Sequence, residues 1–495
     1  MNNELKIGWS EVSITPDQSI SLAGQFFERI SEYVETPVTV TAMAVECGGE
    51  QMIICSADLC VASIALLNDI RKYLREHYPQ VPAEKVLVHA THSHTSHVYD
   101  RGSEVGCAEL DILLRFMPED MIYKPLSSSS DVMTPGESRV YLTEKIAQAA
   151  AEAWNNMKPA VYACGFGRAA VGQCRRVCYD DGSAKMWGDS NSPNFVALEG
   201  GNDSGIEILY TFDTEKNITG AVINVACPSQ VVEHRSFVSS DYWGKVKMYL
   251  REKFGENLFV LGLCSAAGDQ SPRDLIRWVN PDTPIDDPNI ERNYYREKRA
   301  DVSMFDIQGT YRIGRRIATE VIAAFDEIDE YFSEPVFIHE TRKLNMPVRR
   351  VTIAEYENAV KAIEDFVSAN RGRKISFKDT AAMYVHSGTI ERFEYQRLHE
   401  VYPIEVHFIR FGDIAFASSP FELFLDYGNQ IRARSFAKQT FLIQLCCGAD
   451  GYLPTEKAEK GSHYSAYVST GITGHAGGEI LVRETLEAIN AMWKE

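Results

Sequence analysis

The chain has 495 residues, of which 45% are hydrophobic, so it is long enough to bury a large core. It carries 50 Lys and Arg against 69 Asp and Glu, and a net charge of −19 repels the phosphates of nucleic acids and anionic membrane surfaces. We therefore expect a globular protein that has no nucleic-acid or membrane partner.

The N-terminal segment MNNELKIGWSEVSITP lacks the basic stretch and apolar run of a secretory signal. No later window offers the roughly 18 uninterrupted apolar residues of a membrane span. The cysteines number 11, and most lie in apolar segments such as IICSADLC and LIQLCCG, without the CxxC pairs of zinc ribbons. We expect reduced, packed thiols and a cytoplasmic protein.

One pattern of predicted elements occurs three times: a strand, a turn, a second strand, a helix and a third strand. The copies begin at VTVTAMAVECGGEQMIICSADLC, at GIEILYTFDTEKNITGAVINVACPSQ and at IEVHFIRFGDIAFASSPFEL. They share almost no residues, so the repetition is one of pattern. The predicted fold class is α/β, with mixed β-sheets flanked by helices and built from three strand-turn-strand-helix-strand units.

Polar residues follow the apolar strands of each unit. Where parallel strands end at one sheet edge, their loops commonly form the functional site. If the units pack around shared sheets, the strand ends bring together His92, His94, Gln230, Asp269, Ser271, Glu422 and Tyr452.

Two stretches between the units are predicted to be insertions, near residues 100–137 and 275–303. The first contains LSSSSD and begins directly after a histidine-rich loop, so we predict a substrate lid there. Thr352 and Glu355 have the spacing of a capping box at the start of a helix. No linker rich in Pro, Gly or Ser divides the chain, which predicts a single domain over residues 1–495.

The segment VLVHATHSHTSH runs from a strand into a loop with three histidines. His92 and His94 are two residues apart, so in an extended backbone they point the same way and could share one metal ion or one substrate group. His97 could equally be a solvated loop residue. His89, inside the strand, is interpreted as a core histidine.

Three further motifs each have two interpretations. In CSAAGDQSPR, Asp269 and Ser271 offer a carboxylate and a hydroxyl for catalysis, or an Asx turn closed by Pro272. Glu422 in SPFE is a site carboxylate, or a favourable charge at a helix N-terminus. Tyr452 in GADGYLPT is a site residue or a packed aromatic.

Six segments occur in an order that resembles the neutral, non-lysosomal ceramidase family: ITP, ATHSH, GQCRRV, AAGDQSPR, SPFE and GADGYLPT. The resemblance extends over nearly all of residues 7–490. It implies a bacterial, catalytic-domain-like member without the C-terminal β-rich domain of secreted ceramidases. It also implies an α/β fold with a zinc-dependent amide hydrolase site.

The resemblance implies roles for single residues. His92, Glu422 and Tyr452 match zinc ligands, and His94 matches a histidine beside them that we interpret as a proton shuttle. Further matches complete the predicted catalytic set: Arg175 near the scissile carbonyl, Ser271 in the GDxSP loop with Asp269, and Tyr464 as a second tyrosine. The predicted substrate-binding residues are Arg176, Gln230 and His97.

One departure concerns the metal. Pro228 stands where the family has its second zinc histidine, and a proline nitrogen cannot bind metal. Because zinc prefers nitrogen and sulfur ligands to an amide oxygen, His234 or Cys227 is a better replacement than Gln230, and His234 is the predicted fourth ligand.

The sequence thus predicts a metal-dependent hydrolase, with zinc as the expected ion, that cleaves an amide or related linkage in a small soluble substrate. An alternative is a metal-independent lyase or isomerase that uses the same histidines and tyrosines on a polar, sugar-like substrate. A non-enzymatic binding module is disfavoured by the many titratable residues at strand ends. The oligomeric state stays open, with a homo-oligomer as one alternative.

Overall fold

The computed structural model describes residues 4–100, 110–121, 129–277 and 306–494. Its strands are, in chain order, β1 (Lys6–Ser13), β2 (Ser19–Ile20), β3 (Thr39–Cys47), β4 (Glu50–Ala57), β5 (Val86–Ala90), β6 (Val132–Met133), β7 (Lys158–Arg168), β8 (Gln173–Cys174), β9 (Arg176–Tyr179), β10 (Ala184–Met186), β11 (Phe195–Leu198), β12 (Gly205–Asp213), β13 (Ile218–Val225), β14 (Phe259–Cys264), β15 (Gln270–Ser271), β16 (Phe337–Pro347), β17 (Val401–Phe411), β18 (Ile414–Ser418), β19 (Glu422–Leu423), β20 (Gln439–Ile443) and β21 (Tyr452–Leu453).

The α-helices of the described residues are α1 (Ile64–His77), α2 (Leu110–Leu114), α3 (Pro135–Asn155), α4 (Asp241–Phe254), α5 (Asp306–Asp326), α6 (Ile353–Ala369), α7 (Phe377–Leu398), α8 (Leu425–Arg434), α9 (Glu456–Gly461) and α10 (His475–Ala491). The predicted capping box is confirmed at α6. There Thr352 Oγ1 accepts a hydrogen bond from Glu355 N at 3.2 Å, and Glu355 accepts one from Thr352 N at 2.7 Å.

Two sheets carry the architecture. The larger has eight strands in the order β14-β13-β12-β7-β1-β3-β4-β5, and the smaller has four in the order β16-β17-β18-β20. Both mix parallel and antiparallel pairs, and helices pack against them. The predicted α/β class with mixed sheets is therefore confirmed.

Three antiparallel hairpins, β3–β4, β12–β13 and β17–β18, are each followed by the same order of elements. Each is followed by a helix, α1, α4 or α8, and then by a strand parallel to the second hairpin strand, namely β5, β14 or β20. Tight turns connect two of the hairpins at Gly48–Gly49 and Gly412, where positive φ angles favour glycine.

The strands β5, β14 and β20 come together around His89. One ring nitrogen of His89 accepts a hydrogen bond from Cys264 N at 3.0 Å, and the other lies 2.9 Å from Gln444 O. His89 is fully buried, and burial lowers its pKa to about 3, as expected of a core histidine. The carboxyl ends of the three strands thus meet at one place.

Helices cover the sheets by burying apolar faces. Helices α4 and α5 pack on β12 and β13 through residues such as Trp243 and Ile317. Helices α1 and α3 share the largest core with β1, β3 and β4, and α8 and α10 pack with the four-stranded sheet. Within the described ranges, no helix is long and apolar enough to cross a membrane.

The predicted insertions lie partly outside the described residues. Of the segment 100–137, the short helix α2 and the turn after it pack against α6 and α7 through Ile112, Leu113 and Met117. The predicted substrate lid lies partly outside the described residues, since residues 101–109 and 122–128 are not described. Most of the insertion near 275–303 is not described either.

Candidate active site

The histidine loop, residues 91–97, follows β5 and is buried along its whole length. Its backbone is tied to the end of β4, because Thr91 N donates to Ala57 O at 3.0 Å and Ser93 N to Leu59 O at 2.9 Å. The hydroxyls of Ser93 and Thr95 both donate to Ser239 O at 2.8 Å. These bonds hold the loop in one conformation.

His92 has a left-handed backbone, with φ of 65°. That conformation costs a non-glycine residue about 1 kcal/mol, so the surrounding contacts must impose it. Its Nδ1 lies 2.6 Å from Cys60 O. Since a carbonyl only accepts hydrogen bonds, Nδ1 carries a proton, and in the neutral ring Nε2 presents the lone pair.

The Nε2 lone pair of His92 faces two other groups. His94 Nε2 lies 3.2 Å away and Glu422 Oε2 lies 3.5 Å away. Burial raises the pKa of Glu422, but the opposing effects of His92 and Arg175 are larger together, and the net shift is downward. Glu422 is therefore a carboxylate directed at the imidazole.

Glu233 and Gly24 confine His94. Its Nδ1 lies 3.2 Å from Glu233 Oε2, an ion-pair distance at an angle outside hydrogen-bond geometry. Glu233 is in turn 3.3 Å from Arg273 Nη2. Gly24, at φ +93°, passes so close that a Cβ there would lie 2.3 Å from His94 Cγ.

Arg175 connects several strand ends. Its Nη2 donates to Gly268 O at 2.9 Å and to Tyr452 Oη at 3.2 Å, and its Nη1 donates to Gln230 Oε1 at 3.4 Å. Gln230 Nε2 is buried without a hydrogen-bond partner among the described residues. The two N–H donors of this amide therefore remain to bind a ligand oxygen.

A cavity of about 270 Å³ opens above these groups. The aromatic residues of its wall contact one another edge to face, with ring centroids 5.3 Å apart for Phe26 and Tyr384, and 5.4 Å for Phe26 and Tyr464. Helix α7 covers one side through Ala381, Tyr384 and Val385. The cavity thus combines a polar base with apolar walls.

Metal-binding donors are present at the base. One ligand atom each from Cys60, His92 and His94 lies within 4.8 Å of the other two. Burial raises the pKa of Cys60, but the positive charges of His94 and His92, when these rings are protonated, outweigh it and lower the pKa to about 6. Imidazole and thiolate are ligands that zinc prefers, so the residues present fit this ion.

A second donor group, Glu405, His407 and Cys447, lies elsewhere in the fold. Its donors already have partners: His407 Nδ1 lies 2.9 Å from His339 Nε2, and Glu405 pairs with both His407 at 3.1 Å and Arg71 at 2.8 Å. This arrangement is a buried charge network, and Arg71 opposes the approach of a cation.

Of the residues that the sequence singled out, seven lie in or directly beneath the cavity. They are His92, His94, Arg175, Gln230, Glu422, Tyr452 and Tyr464.

Asp269 and Ser271 lie outside the cavity lining, Asp269 in the loop after β14 and Ser271 in the short strand β15. Asp269 Oδ1 accepts a hydrogen bond from Leu425 N, at the start of α8, at 2.9 Å. Burial raises the pKa of Asp269 to about 6. Ser271 Oγ accepts a bond from Arg273 N at 3.1 Å. Their contacts position α8 and the Arg273 backbone.

Arg176, His97 and His234 also lie outside the lining. Arg176 is fully buried and binds both oxygens of Glu199, at 2.6 and 3.1 Å. The ring nitrogens of His97 lie 2.8 Å from Ile14 O and 3.2 Å from Ser138 Oγ. His234 Nε2 is directed at Asp306, 4.0 Å away, and is not part of the three-residue donor group. In the described part of the chain, all three side chains thus contact protein groups outside the cavity.

Sequence reasoning missed Cys60, Glu233 and two residues of the aromatic wall, Phe26 and Tyr384. The position of Cys60 at the end of an apolar segment predicts a packed thiol, although Cys60 follows β4 just as His92 follows β5. Glu233 adjoins His234 in PSQVVEH, and that segment was the available signal. Nothing in the sequence around Phe26 or Tyr384 indicates a cavity.

No family model and no curated protein sequence matches the chain. Solved structures do match. Neutral ceramidase from Pseudomonas aeruginosa superposes with a TM-score of 0.66 at 14% identity, over 100% of this chain and 75% of that chain. A structure described as ceramidase complexed with C2 superposes with a TM-score of 0.67 at 13% identity, over 100% and 76%. The chain has the fold of these ceramidases, as the sequence resemblance implied.

Proposed function

We propose that the protein is a metal-dependent hydrolase, with zinc as its ion, that cleaves an amide or related linkage in a small molecule. The observation that supports this most directly is the arrangement of His92. Its Nε2 lone pair, oriented by the Cys60 carbonyl, faces His94 and Glu422 at the base of a cavity. The ceramidase-like fold is consistent with amide hydrolysis and carries no further weight at this level of identity.

His92, together with nearby nitrogen, sulfur or carboxylate donors, would hold the ion. A bound zinc ion supplies a Lewis acid and lowers the pKa of a water molecule towards neutrality. The remaining chemistry belongs to the protein side chains.

Arg175 would stabilise negative charge on the substrate oxygen during the reaction. Its guanidinium is fixed by Gly268 O and Tyr452 Oη, so it needs no reorganisation when charge develops. Tyr464 lines the same cavity, with its ring centroid 5.5 Å from that of Tyr452, and would orient the substrate. The unpaired Nε2 of Gln230 would donate to a carbonyl or hydroxyl oxygen of the substrate.

The hairpin-helix-strand units would explain why these groups converge. Cys60 and His92 follow β4 and β5, Gln230 follows β13, and Glu422 and Tyr452 follow β18 and β20. We propose that the three units form one catalytic domain and that each contributes side chains to a single site.

The test combines metal analysis with activity. Full-length protein would be assayed by plasma mass spectrometry for bound metal and with a panel of short N-acyl amides for hydrolysis. We expect about one zinc ion per chain, and loss of both metal and activity in His92→Ala. His77→Ala, which removes an exposed histidine on α1, is the matched control and should change neither.

Retention of metal and activity by His92→Ala would refute the proposal. Activity that survives prolonged chelation, on a polar, sugar-like substrate, would instead favour the metal-independent lyase or isomerase.

A further inference from the structure

The segment PSQVVEH contains the donors that the sequence offered in place of the missing histidine. The structure assigns other partners to each of them. Gln230 Oε1 accepts from Arg175 at 3.4 Å, and His234 is directed at Asp306, 4.0 Å away. Cys227 Sγ lies 3.6 Å from Val171 O and 3.7 Å from Pro228 O. The replacement therefore has to come from elsewhere in the fold.

Cys60 and His94 are placed to take that position. One ligand atom from each of Cys60, His92 and His94 lies within 4.8 Å of the other two. Cys60 Sγ is 4.0 Å from Nδ1 of His92, and His94 Nε2 is 3.2 Å from His92 Nε2. Nitrogen ligands at about 2.0 Å from a tetrahedral zinc ion are roughly 3.3 Å apart. The two histidines thus already have the separation that shared coordination requires.

The protonation of the two rings points the same way. Nδ1 of His92 donates to Cys60 O, and Nδ1 of His94 is beside the carboxylate of Glu233 at 3.2 Å. Both contacts favour hydrogen on Nδ1, so in the neutral rings both Nε2 atoms direct lone pairs at one point. Two facing lone pairs at 3.2 Å repel each other unless a proton or a metal ion lies between them, and a metal ion is the one that Cys60 can also bind.

In metal sites, a carboxylate commonly contacts the ring nitrogen of a histidine that does not bind the metal, and so fixes the orientation of the imidazole. Glu233 is held by Arg273 at 3.3 Å, and Arg273 lies over the Trp187 ring at 4.5 Å. The carboxylate is therefore fixed independently of any ligand.

We propose that Cys60, His92 and His94 bind the metal, with Glu233 as the positioning residue of His94. This rests on the proposed function insofar as the site must bind a metal ion. A thiolate ligand would favour zinc, cobalt or cadmium over magnesium or calcium, which prefer oxygen ligands. His94 would then be unavailable as a proton shuttle.

The test uses cobalt bound to the full-length protein, because cobalt–thiolate coordination has a charge-transfer band in the near ultraviolet and needs no substrate. We expect the band in the wild type and its loss in Cys60→Ser. Cys178→Ser removes a half-buried thiol outside the cavity and should keep the band. We also expect Glu233→Gln to weaken cobalt binding about 10- to 100-fold, and His234→Ala to leave it unchanged.

The outcomes separate this inference from the proposed function. Cobalt bound by the wild type without the thiolate band would overturn the assignment of Cys60 while the metal site stands. A larger loss of affinity in His234→Ala than in His94→Ala would overturn the assignment of His94. A wild type that binds neither cobalt nor zinc would refute both proposals.

Discussion

Replacing Arg176 with methionine removes a fully buried guanidinium that binds only protein groups. Besides its two bonds to Glu199, it donates to Tyr464 O at 2.9 Å and to Ser462 O at 2.8 Å. The substitution therefore leaves the Glu199 carboxylate buried without its partner and releases the segment that carries Tyr464.

The magnitude follows from the burial of this pair, whose side chains are 0% and 5% exposed. Breaking a buried ion pair by removing one partner costs about 3 to 5 kcal/mol. Unfolding entropy is about 2.1 cal/mol/K per residue, or roughly 1 kcal/mol/K for a chain of 495 residues. Calorimetry should therefore show a Tm about 3 to 5 °C lower.

The control is Arg277→Met, which removes an arginine that is 61% exposed and paired with Asp274. Its Tm should change by less than about 1 °C, because surface pairs contribute little. The double variant Arg176→Met with Glu199→Leu should recover part of the loss, since no buried charge remains. If Arg176→Met keeps its Tm and only raises KM, Arg176 contacts substrate, as the sequence predicts, and its pair with Glu199 does not stabilise the fold.

Three further predictions concern Gly24 beside His94, the ion pairs of Glu11, and the buried His97. Gly24→Ala should abolish metal binding, because the new Cβ would collide with His94. Gly49→Ala is the control, since Gly49 has a similar φ of +91° with open space around it, and this variant should only lower the Tm slightly. Equal effects of the two variants on metal binding would show that contact with His94 is not the cause. Burial raises the pKa of Glu11, but Lys247 and Arg251 outweigh it and lower the pKa from 4.5 to about 2. The ionised Glu11 therefore contributes at most about 3 kcal/mol to the free energy of unfolding above pH 4.5, and this contribution is lost as the pH falls towards 2. Urea unfolding of Glu11→Gln should accordingly show a weaker dependence on pH in that window, and an unchanged dependence would argue against the pairing. His97→Ala should lower the Tm without reducing zinc content, and a loss of zinc at unchanged Tm would place His97 in the site.

The elements that the sequence predicted well are those specified by local patterns. Two such features are the hairpin turns at Gly48–Gly49 and Gly412 and the capping box of Thr352. Each depends only on residues close together in the chain. The rule that parallel strands end at one sheet edge then brings His92 and Glu422 near each other, and the structure places their side chains 3.5 Å apart.

Neighbouring residues show where sequence reasoning stops. Arg175 lines the cavity, whereas Arg176, one position later, is fully buried beneath the loop of Tyr464. Likewise Glu233 faces His94, while His234 faces Asp306. The direction of each side chain is set by the tertiary path of its loop, which no spacing within the segment reveals.

Cys60 illustrates a different limit. A cysteine at the end of an apolar strand is usually a packed thiol, and ten of the chain's cysteines in the described residues are free thiols in buried or half-buried positions. Only the three-dimensional proximity of Cys60 to the two histidines distinguishes it from the others.

The most direct test of the central claim is anomalous diffraction at the zinc absorption edge, from crystals of the full-length protein grown with zinc. We predict one strong peak in contact with Nε2 of both His92 and His94. No peak between these atoms, with zinc instead bound at Glu405, His407 and Cys447 or absent, would contradict the assignment of the cavity as a metal-dependent active site.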